Sequence, residues 1–292
     1  MKISFWHNNV ALAGQDIYKA FENTVAKTDQ VVHEDMSADV AVIWSVLWRG
    51  RMQGNRAVYD HFRSQGKPIV IIEVGVLKRN HSWRIAVNHI NNTGYYGHLD
   101  NPVIEGRHER FDFVSRPFNQ QGTDIIICCQ NEASELWCDM PSTDQWLDNI
   151  IPQIKLFHPN KNIIVRPHPR YPVPQSVYNK YQIEKCQSRG DKDDTDFLEI
   201  LDNAYCVVSP TGGSAIEAII AGVPAIVAKE SLALPVARTD YATPLVPNKQ
   251  DRKEWIKKLR NTEWFLDEIQ EGTPWRRLRP YVLHQIESRQ ST

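Results

Sequence analysis

The chain has 292 residues, of which 41% are hydrophobic and 24% charged, so it can bury one large core or two ordinary ones. A formal net charge of −1 argues against binding nucleic acid or an anionic membrane by bulk charge. No stretch approaches the roughly 20 apolar residues of a membrane span, and polar His7, Asn8 and Asn9 lie where a signal peptide would be apolar, so we expect a cytoplasmic protein.

Short apolar runs alternate with helical patterns along the chain. In the first half the predicted strands are 2–6, 39–44 and 68–74, and the predicted helices are 15–27 and 54–65. In the second half the predicted strands are 124–130, 162–167, 181–186, 204–209 and 224–228, and the predicted helices are 142–157, 194–202 and 213–221. Apolar strands that alternate with helices indicate parallel sheets covered on both faces. The sequence therefore predicts an α/β protein with two Rossmann-like domains that face each other across a cleft.

The expected boundaries are 1–120 for the N-terminal domain, 121–250 for the C-terminal domain and 251–292 for a helical segment that packs back across both. Residues 251–270 show the pattern of one amphipathic helix. The five cysteines have no CxxC spacing, and three of them lie in apolar runs, so we expect free structural thiols rather than disulfides or a metal site.

A turn of small residues leads into a helix at 209–217, directly after a predicted strand. A helix N-terminus leaves N–H groups unpaired and carries partial positive charge, and glycines let a phosphate approach the backbone. The pattern predicts an anion-binding site at Gly212 and Gly213, to which Ser209 and Thr211 could add hydroxyl donors.

Glu217 lies one turn into this helix and has two interpretations. Ser214 and Glu217 match a capping box, in which each side chain satisfies a backbone donor near the other. Alternatively, a carboxylate beside a phosphate site accepts hydrogen bonds from both hydroxyls of a ribose. The sequence alone favours neither.

The stretch Arg-Pro-His-Pro-Arg, 166–170, follows the predicted strand 162–167. Its prolines indicate an extended turn at the carboxyl end of a strand, where ligands of open parallel sheets bind. There Arg166 offers a bidentate fork to phosphate, and His168 offers a donor near neutral pH. The alternative is a rigid surface turn with solvated charges. We expect no metal here, because no second His or Cys lies at ligand spacing.

A polar cluster follows the first strand of the second half and comprises Gln130, Asn131, Glu132, Ser134 and Glu135. A carboxylate at this position could act as a base or nucleophile. Alternatively, the cluster is an ordinary loop and helix cap.

The first half carries basic residues interleaved with Trp48 and Trp83 over 48–56 and 73–84. Such loops are usually solvated turns, but interleaved aromatic and basic residues also bind anionic polymers. The candidate acceptor-binding residues of this half are Arg49, Arg51, Glu73, Lys78, Arg79 and Arg84.

Five blocks in order resemble motifs of the Kdo transferase family of capsule polysaccharide biosynthesis, glycosyltransferases with a GT-B-like fold. Residues 73–79 are similar to its Glu-Asp-Gly-Phe-Leu-Arg block, and 88–97 to its Asp-Asp-x-Gly-Ile-Tyr-Tyr block. Residues 125–134 resemble its strand ending in Gly-Gln-Val, 163–169 its Lys-Pro-His-Pro turn, and 209–224 its last nucleotide-binding helix.

Two departures limit what the resemblance implies. Val74 stands where the family has Asp, and the family's acidic pair after Gln-Val has no clear counterpart. The resemblance therefore implies sugar transfer from a nucleotide donor rather than from CMP-Kdo in particular.

Motifs and resemblance together predict a glycosyltransferase whose C-terminal half binds a UDP-, CMP- or GDP-linked sugar without a metal. The expected phosphate contacts are Gly212, Gly213 and Ser214, with Arg166 and His168 on phosphate or base. The catalytic candidates are Glu132, Glu135 and His168. We expect a glycan or glycolipid acceptor. The alternatives are a phage-type transferase acting on hydroxymethylated bases of DNA and, from another class, a non-catalytic module that binds nucleotide sugars.

Overall fold

The computed structural model of the chain describes residues 1–99, 106–113, 115–118, 121–186, 195–244 and 246–290. The chain divides into two compact units. Unit 1 comprises Met1–Asp112 and Ile256–Thr292, and unit 2 comprises Phe113–Trp255.

The regular elements are as follows in chain order. The strands are β1 (Lys2–Phe5), β2 (Gln30–His33), β3 (Val40–Trp44), β4 (Ile69–Val74), β5 (Ser82–Val87), β6 (Asp124–Cys128), β7 (Asn162–Arg166), β8 (Glu184–Lys185), β9 (Ala204–Val208), β10 (Ala225–Ile226) and β11 (Glu263–Phe265). The α-helices are α1 (Gln15–Val25), α2 (Asn55–Ser64), α3 (Thr143–Phe157), α4 (Gln175–Tyr181), α5 (Thr195–Ile200), α6 (Gly213–Ile220), α7 (Lys249–Arg260), α8 (Leu266–Gln270) and α9 (Thr273–Gln290).

Unit 1 contains a six-stranded sheet in the order β11-β5-β4-β3-β1-β2. Strands β1 to β4 are parallel, whereas β5 and β11 are antiparallel to their neighbours. Its core joins the sheet to α1 and to the C-terminal helix α9, where the rings of Phe21 and Trp275 lie 6.1 Å apart. The C-terminal residues therefore complete the hydrophobic core of this unit.

The C-terminal segment corrects the helix that the sequence predicts over 251–270. Helix α7 ends at Arg260, and the next residues form β11, which pairs with β5 so that Trp264 lies opposite Trp83. Trp264 is completely buried. The helical periodicity of this segment is overridden because the aromatic side chain gains more from burial at the sheet edge than an exposed helix offers.

Unit 2 contains a parallel five-stranded sheet in the order β10-β9-β6-β7-β8. Alternate residues of β6 point to opposite faces: Ile125 and Ile127 pack under α3 and α4, and Ile126 and Cys128 pack against α5 and α6. This two-sided burial explains the continuous apolar run of β6. The strand order reverses direction between β6 and β9, and ligands of such sheets bind at the carboxyl ends of the strands at this switch point.

The sequence predicts most of these strands but misses three, β2, β5 and β11. The missed strands are short, half exposed or interrupted by a charged residue, so they lack an apolar run. All five cysteines are free, as predicted, and four of them are buried. Within the described ranges, no helix has both the length and the apolar character needed to cross a bilayer.

Candidate functional site

The N-terminus of α6 lies at the switch point of unit 2. Strand β9 ends at Val208, a turn follows, and α6 begins at Gly213 with Gly212 as its N-cap residue. Because Gly212 has no side chain, it cannot cap the first N–H groups of the helix. The capping-box interpretation of Ser214 is wrong, since Ser214 is the second residue of the helix and not its N-cap. This helix end therefore has the backbone polarity of an anion-binding site.

The other end of α6 explains the Gly-Val-Pro sequence that follows it. Gly222 has a φ of +88°. Its N–H donates to the Ile219 carbonyl at 3.2 Å, and the Val223 N–H donates to the Ala218 carbonyl at 2.8 Å. This is the Schellman pattern, which glycine forms without strain. A Cβ at Gly222 would also lie 2.1 Å from the Pro117 carbonyl oxygen. Both the positive φ and this close contact therefore require glycine at this position.

Gln130 fixes the turn before α6. Its Nε2 donates to Thr211 Oγ1 at 2.9 Å, and its Oε1 accepts from the Thr211 N–H at 2.9 Å. Gln130 follows β6 and Thr211 follows β9, so this amide joins the two strands that flank the switch point. The sequence places Gln130 in a polar cluster but gives it no role, because the pairing partner lies 81 residues away.

Three predicted donor-binding residues surround the end of β6. The pKa of the buried Cys128 thiol is raised to about 12, mainly because burial disfavours the thiolate. The positive charge of Arg166 and a hydrogen bond with Ser214 lower this pKa, and the negative charge of Glu217 raises it. Ser214 hydrogen-bonds with this thiol, and Glu217 lies three residues further along α6. Arg166 is paired in register with Cys128, and its guanidinium lies 4.8 Å from the Phe197 ring centroid. The tertiary structure thus brings Arg166, Ser214 and Glu217 together.

His168 lies in an ordered turn between β7 and α4. Its Nδ1 accepts a hydrogen bond from the Arg170 N–H at 3.1 Å, and its carbonyl accepts one from the Tyr171 N–H at 2.9 Å. With Nδ1 acting as an acceptor, the neutral imidazole carries its proton on Nε2. These two hydrogen bonds define the turn, and the one to Nδ1 favours the tautomer that is protonated on Nε2.

The two candidate carboxylates, Glu132 and Glu135, have different surroundings. Glu132 accepts hydrogen bonds from the Thr143 N–H at the start of α3 and from Tyr171 Oη, the latter at 2.8 Å. Glu135 begins a single 3₁₀ turn after Ser134, whose Oγ accepts from the Leu136 N–H at 3.3 Å. The contacts of Glu132 are those of a loop and helix cap.

Two buried polar atoms beside the switch point have no hydrogen-bond partner among the described residues: Ser209 Oγ and Asn131 Nδ2. Ser209 is 1% exposed and Asn131 4%. Buried polar groups are rarely left unpaired, and an ordered water, an ion or a catalytic role can account for those that are. Ser209 directly follows β9, and Asn131 lies a few residues beyond the end of β6.

A cavity of about 360 Å³ opens beside the same turn of unit 2. Its walls combine apolar and aromatic side chains with two charged ones, and they include Met140, Trp146, Pro210, Lys229, Glu230 and Tyr241. The aromatic residues lie in loops or on a helix far apart in the chain, so the sequence does not reveal this cavity.

In unit 1, the predicted acceptor-binding residues occupy different environments. Arg49 directly precedes the 3₁₀ turn Gly50–Gly54, Arg51 lies within it, and both are exposed. Arg79 is exposed in the loop after β4. Lys78 Nζ donates to the Arg110 carbonyl at 3.0 Å.

Glu73 and Arg84 have partners within unit 1. Glu73 accepts a hydrogen bond from Ser45 Oγ at 2.6 Å. Arg84 is buried and donates to Glu263 at 3.3 Å, so its charge is used inside the unit.

No protein-family model and no curated protein matches the sequence. Solved structures do match. The β-Kdo 2,4 transferase KpsC of Thermosulfurimonas dismutans has a TM-score of 0.50 and 11% identity, with 91% of this chain and 92% of that chain covered. The β-Kdo 2,7 transferase KpsC of the same organism has a TM-score of 0.49 and 14% identity, with 94% and 98% covered. The UDP-GlcNAc 2-epimerase of Methanocaldococcus jannaschii has a TM-score of 0.33 and 14% identity, with 90% and 92% covered.

The chain therefore has a Kdo transferase-like glycosyltransferase fold built from two Rossmann-like α/β units. This confirms the fold class and the fold that the five sequence blocks imply. At this identity the likeness concerns the fold, and function has to be argued from the residues of the site.

Proposed function

We propose that the protein is a glycosyltransferase that moves a sugar from a nucleotide-sugar donor to a glycan or glycolipid acceptor. The observation that carries the proposal is the N-terminus of α6, which lies at the switch point of unit 2. Its N-cap residue is Gly212, so no N-cap side chain covers the first N–H groups of the helix. The turn before it is fixed by Gln130, so the backbone donors are held in place before a ligand arrives.

The donor phosphates bind the N–H groups of Gly213 and Ser214 in this proposal, and Gly212 allows their close approach. Arg166 supplies the positive charge that a diphosphate or monophosphate needs. Glu217, which lies one turn into the helix, accepts hydrogen bonds from the ribose hydroxyls.

The cavity of about 360 Å³ beside Pro210 is the proposed site of the nucleobase. Trp146 and Tyr241 contribute aromatic rings to its walls, and the flat apolar faces of a base pack well against such rings. The base itself is uracil, cytosine or guanine, according to whether the donor is UDP-, CMP- or GDP-linked.

The chemical step requires a base and a stabilised leaving group. The acceptor hydroxyl gives its proton to a carboxylate, its oxygen bonds to the anomeric carbon, and the nucleotide phosphate leaves with the electron pair of the broken C–O bond. Glu132 is the first candidate for the carboxylate and Glu135 the second. His168 donates from Nε2 to the departing phosphate, and no metal is needed because Arg166 and the helix N-terminus stabilise its charge.

The acceptor contacts are proposed for unit 1. Arg49, Arg51 and Arg79 are exposed there, and Lys78 lines a cavity of about 540 Å³ together with Trp83. A glycan suits such a surface, because sugars pack on aromatic rings and bond to charged side chains. The burial of Arg84 removes one of the charges on which the DNA alternative depends.

The donor site is tested by calorimetric titration of the full chain with UDP, CMP and GDP. Glu217→Gln should keep the thermal stability and lose roughly tenfold or more in nucleotide affinity, because an amide is a weaker acceptor for ribose hydroxyls than a carboxylate. Glu184→Gln, the same change at an exposed residue of β8, is the matched control. If both variants bind the nucleotide as the wild type does, Glu217 is not a ribose ligand.

Turnover is tested by incubating the protein with UDP-, GDP- and CMP-sugars and a glycan panel, with and without hydroxymethylated DNA, and detecting products by mass spectrometry. A glycosylated glycan supports the proposal. Glycosylated DNA as the product would show that the acceptor is DNA and not a glycan. Nucleotide binding without any product would favour the non-catalytic module.

A further inference from the structure

Two histidines and a glutamate meet on the surface of unit 1, outside every site described above. His7 follows β1, Glu22 belongs to α1, and His33 is the last residue of β2. His7 Nε2 lies 2.8 Å from Glu22 Oε2, and His33 Nε2 lies 2.5 Å from Glu22 Oε1. The three potential ligand atoms all lie within 4.8 Å of one another.

The surrounding fold holds two of the three groups in place. Tyr18, one turn before Glu22 on α1, packs edge-on against the His7 ring with the ring centroids 5.2 Å apart. The Tyr18 hydroxyl is itself anchored, since it donates to the Val42 carbonyl at 2.5 Å and accepts from the Trp6 N–H at 2.9 Å. The Glu22 side chain is only 14% exposed. A carboxylate that is mostly shielded from solvent and a supported imidazole form a preorganised pair of ligands.

The third group is placed by the pairing of two parallel strands. In the register of β1 and β2, His33 lies beside Phe5, two residues before His7. The carboxyl ends of parallel strands meet at one edge of the sheet, which brings the two imidazoles together with ring centroids 5.4 Å apart. His33 is 60% exposed, and its ring is free to adjust without disturbing the core.

The geometry points to a binding site for a divalent transition-metal ion of the zinc class, with His7, Glu22 and His33 as ligands. Two imidazole nitrogens and one carboxylate oxygen suit zinc, cobalt and nickel, whereas magnesium and calcium prefer oxygen ligands only. The site belongs to unit 1 alone and does not depend on the proposed donor site or the sugar transfer.

The ligand spacing is compatible with this assignment after a small movement. Tetrahedral zinc with bonds of about 2.0 to 2.1 Å holds its ligand atoms roughly 3.3 Å apart. The His–Glu separations of 2.8 and 2.5 Å therefore have to lengthen, and any separation near the 4.8 Å limit has to shorten, by roughly 0.5 to 1.5 Å, which the exposed sides of the two imidazoles allow. Each Nε2 also has to lose its proton, either to Nδ1 of the same ring or to solvent, so binding competes with protonation.

Three protein ligands leave one tetrahedral position for water or for an oxygen of another molecule. That position lies on the exposed side of the cluster, because Glu22 closes the inner side. The site thus has the ligand number of zinc centres that bind an exchangeable group rather than that of closed structural sites with four protein ligands.

The test titrates the metal-free full chain with Zn²⁺ in competition with a chromophoric chelator, and with Co²⁺ while the visible absorption is recorded. We expect one saturable Zn²⁺ per chain, a Co²⁺ spectrum of low-symmetry coordination, and a rise in Tm with Zn²⁺. His33→Asn and His7→Gln should each weaken Zn²⁺ binding roughly tenfold to hundredfold or more and abolish the rise in Tm.

Two variants control for other ligands on the surface. His284→Asn removes an exposed histidine of α9 in the same unit, and Cys138→Ser removes the exposed cysteine. Both should bind Zn²⁺ as the wild type does. Circular dichroism of the metal-free variants verifies that each is folded. The assignment is overturned if the wild type shows no saturable Zn²⁺ binding, if His33→Asn and His7→Gln both retain the wild-type affinity, or if Cys138→Ser loses it.

Discussion

Replacing Glu263 by glutamine should destabilise unit 1 severely, although the two side chains have nearly the same shape. The Glu263 carboxylate is completely buried. It accepts hydrogen bonds from the N–H groups of Val76 at 2.7 Å and Leu77 at 3.1 Å. It also accepts from Ser82 Oγ at 2.7 Å and from the Arg84 guanidinium at 3.3 Å. The glutamine side chain has one acceptor oxygen where the carboxylate has two. Its NH₂ group would face N–H, O–H or guanidinium donors, with which it cannot form a hydrogen bond.

The expected cost follows from the charge left behind. Arg84 is 7% exposed, so Glu263→Gln leaves it buried without its carboxylate. Removing one partner of a buried ion pair costs about 3–5 kcal/mol, a large part of the 5–15 kcal/mol that stabilises a typical domain. For a unit of this size each kcal/mol lowers Tm by roughly 2–4 °C, so unit 1 should melt roughly 6–20 °C lower.

Calorimetry and hydrogen exchange together test this expectation. The amides of Val76 and Leu77 should lose protection in Glu263→Gln, because their acceptor is weakened. The proposed nucleotide binding by unit 2 should not change, whereas the proposed acceptor contacts of the neighbouring Lys78 should weaken. Glu271→Gln, the same change at an exposed position, should stay within about 0.5 kcal/mol of the wild type. A Tm of Glu263→Gln within roughly 2 °C of the wild type, with unchanged exchange at both amides, would refute the reasoning.

Four further variants probe the rest of the chain. Gly212→Val should weaken nucleotide binding roughly tenfold or more in a calorimetric titration. A Cβ at this position would already lie 3.0 Å from Ser209 Oγ, and a branched side chain would cover the N-terminus of α6. Unchanged affinity would exclude the proposed phosphate site. Burial opposes ionisation of Asp29, but hydrogen bonds led by that of Arg279 lower its pKa overall. The ionised Asp29 carboxylate thus stabilises the folded protein above the unfolded pKa of about 3.9, and this stabilisation is lost as pH falls through the lower folded pKa. Asp29→Asn should therefore lower the free energy of unfolding at neutral pH and much less near pH 2, as measured by urea unfolding. A loss of unfolding free energy that does not depend on pH would contradict this. Glu132→Gln should lower turnover by about a hundredfold or more if the carboxylate is the base. Tyr171→Phe, which removes a hydrogen bond to that carboxylate, should cost about 1 kcal/mol of unfolding free energy and leave turnover nearly intact. Wild-type turnover in Glu132→Gln would make Glu132 purely structural.

Local patterns in the sequence determine the parallel core of unit 2 and the ends of α6. The runs that form β6, β7 and β9 are apolar on both faces, and such runs are stable only as covered parallel strands. The glycines that flank α6, Gly212 before its start and Gly222 just beyond its end at Ile220, indicate both helix ends in the sequence, because these positions depend on backbone conformation more than on distant partners.

Tertiary structure alone decides the partners of the polar side chains. Gln130 acquires its role from Thr211, Glu263 from a loop about 180 residues before it, and His7 and Glu22 from the strand that carries His33. The sequence shows the chemical type of each group but not which others meet it, since a hydrogen bond or metal ligand has no period along the chain. The sequence predicts a helix at β11 because it does not show which strand this segment will pair with. Its short aromatic run forms a strand because it pairs with the edge of β5 and buries Trp264 in the core of unit 1.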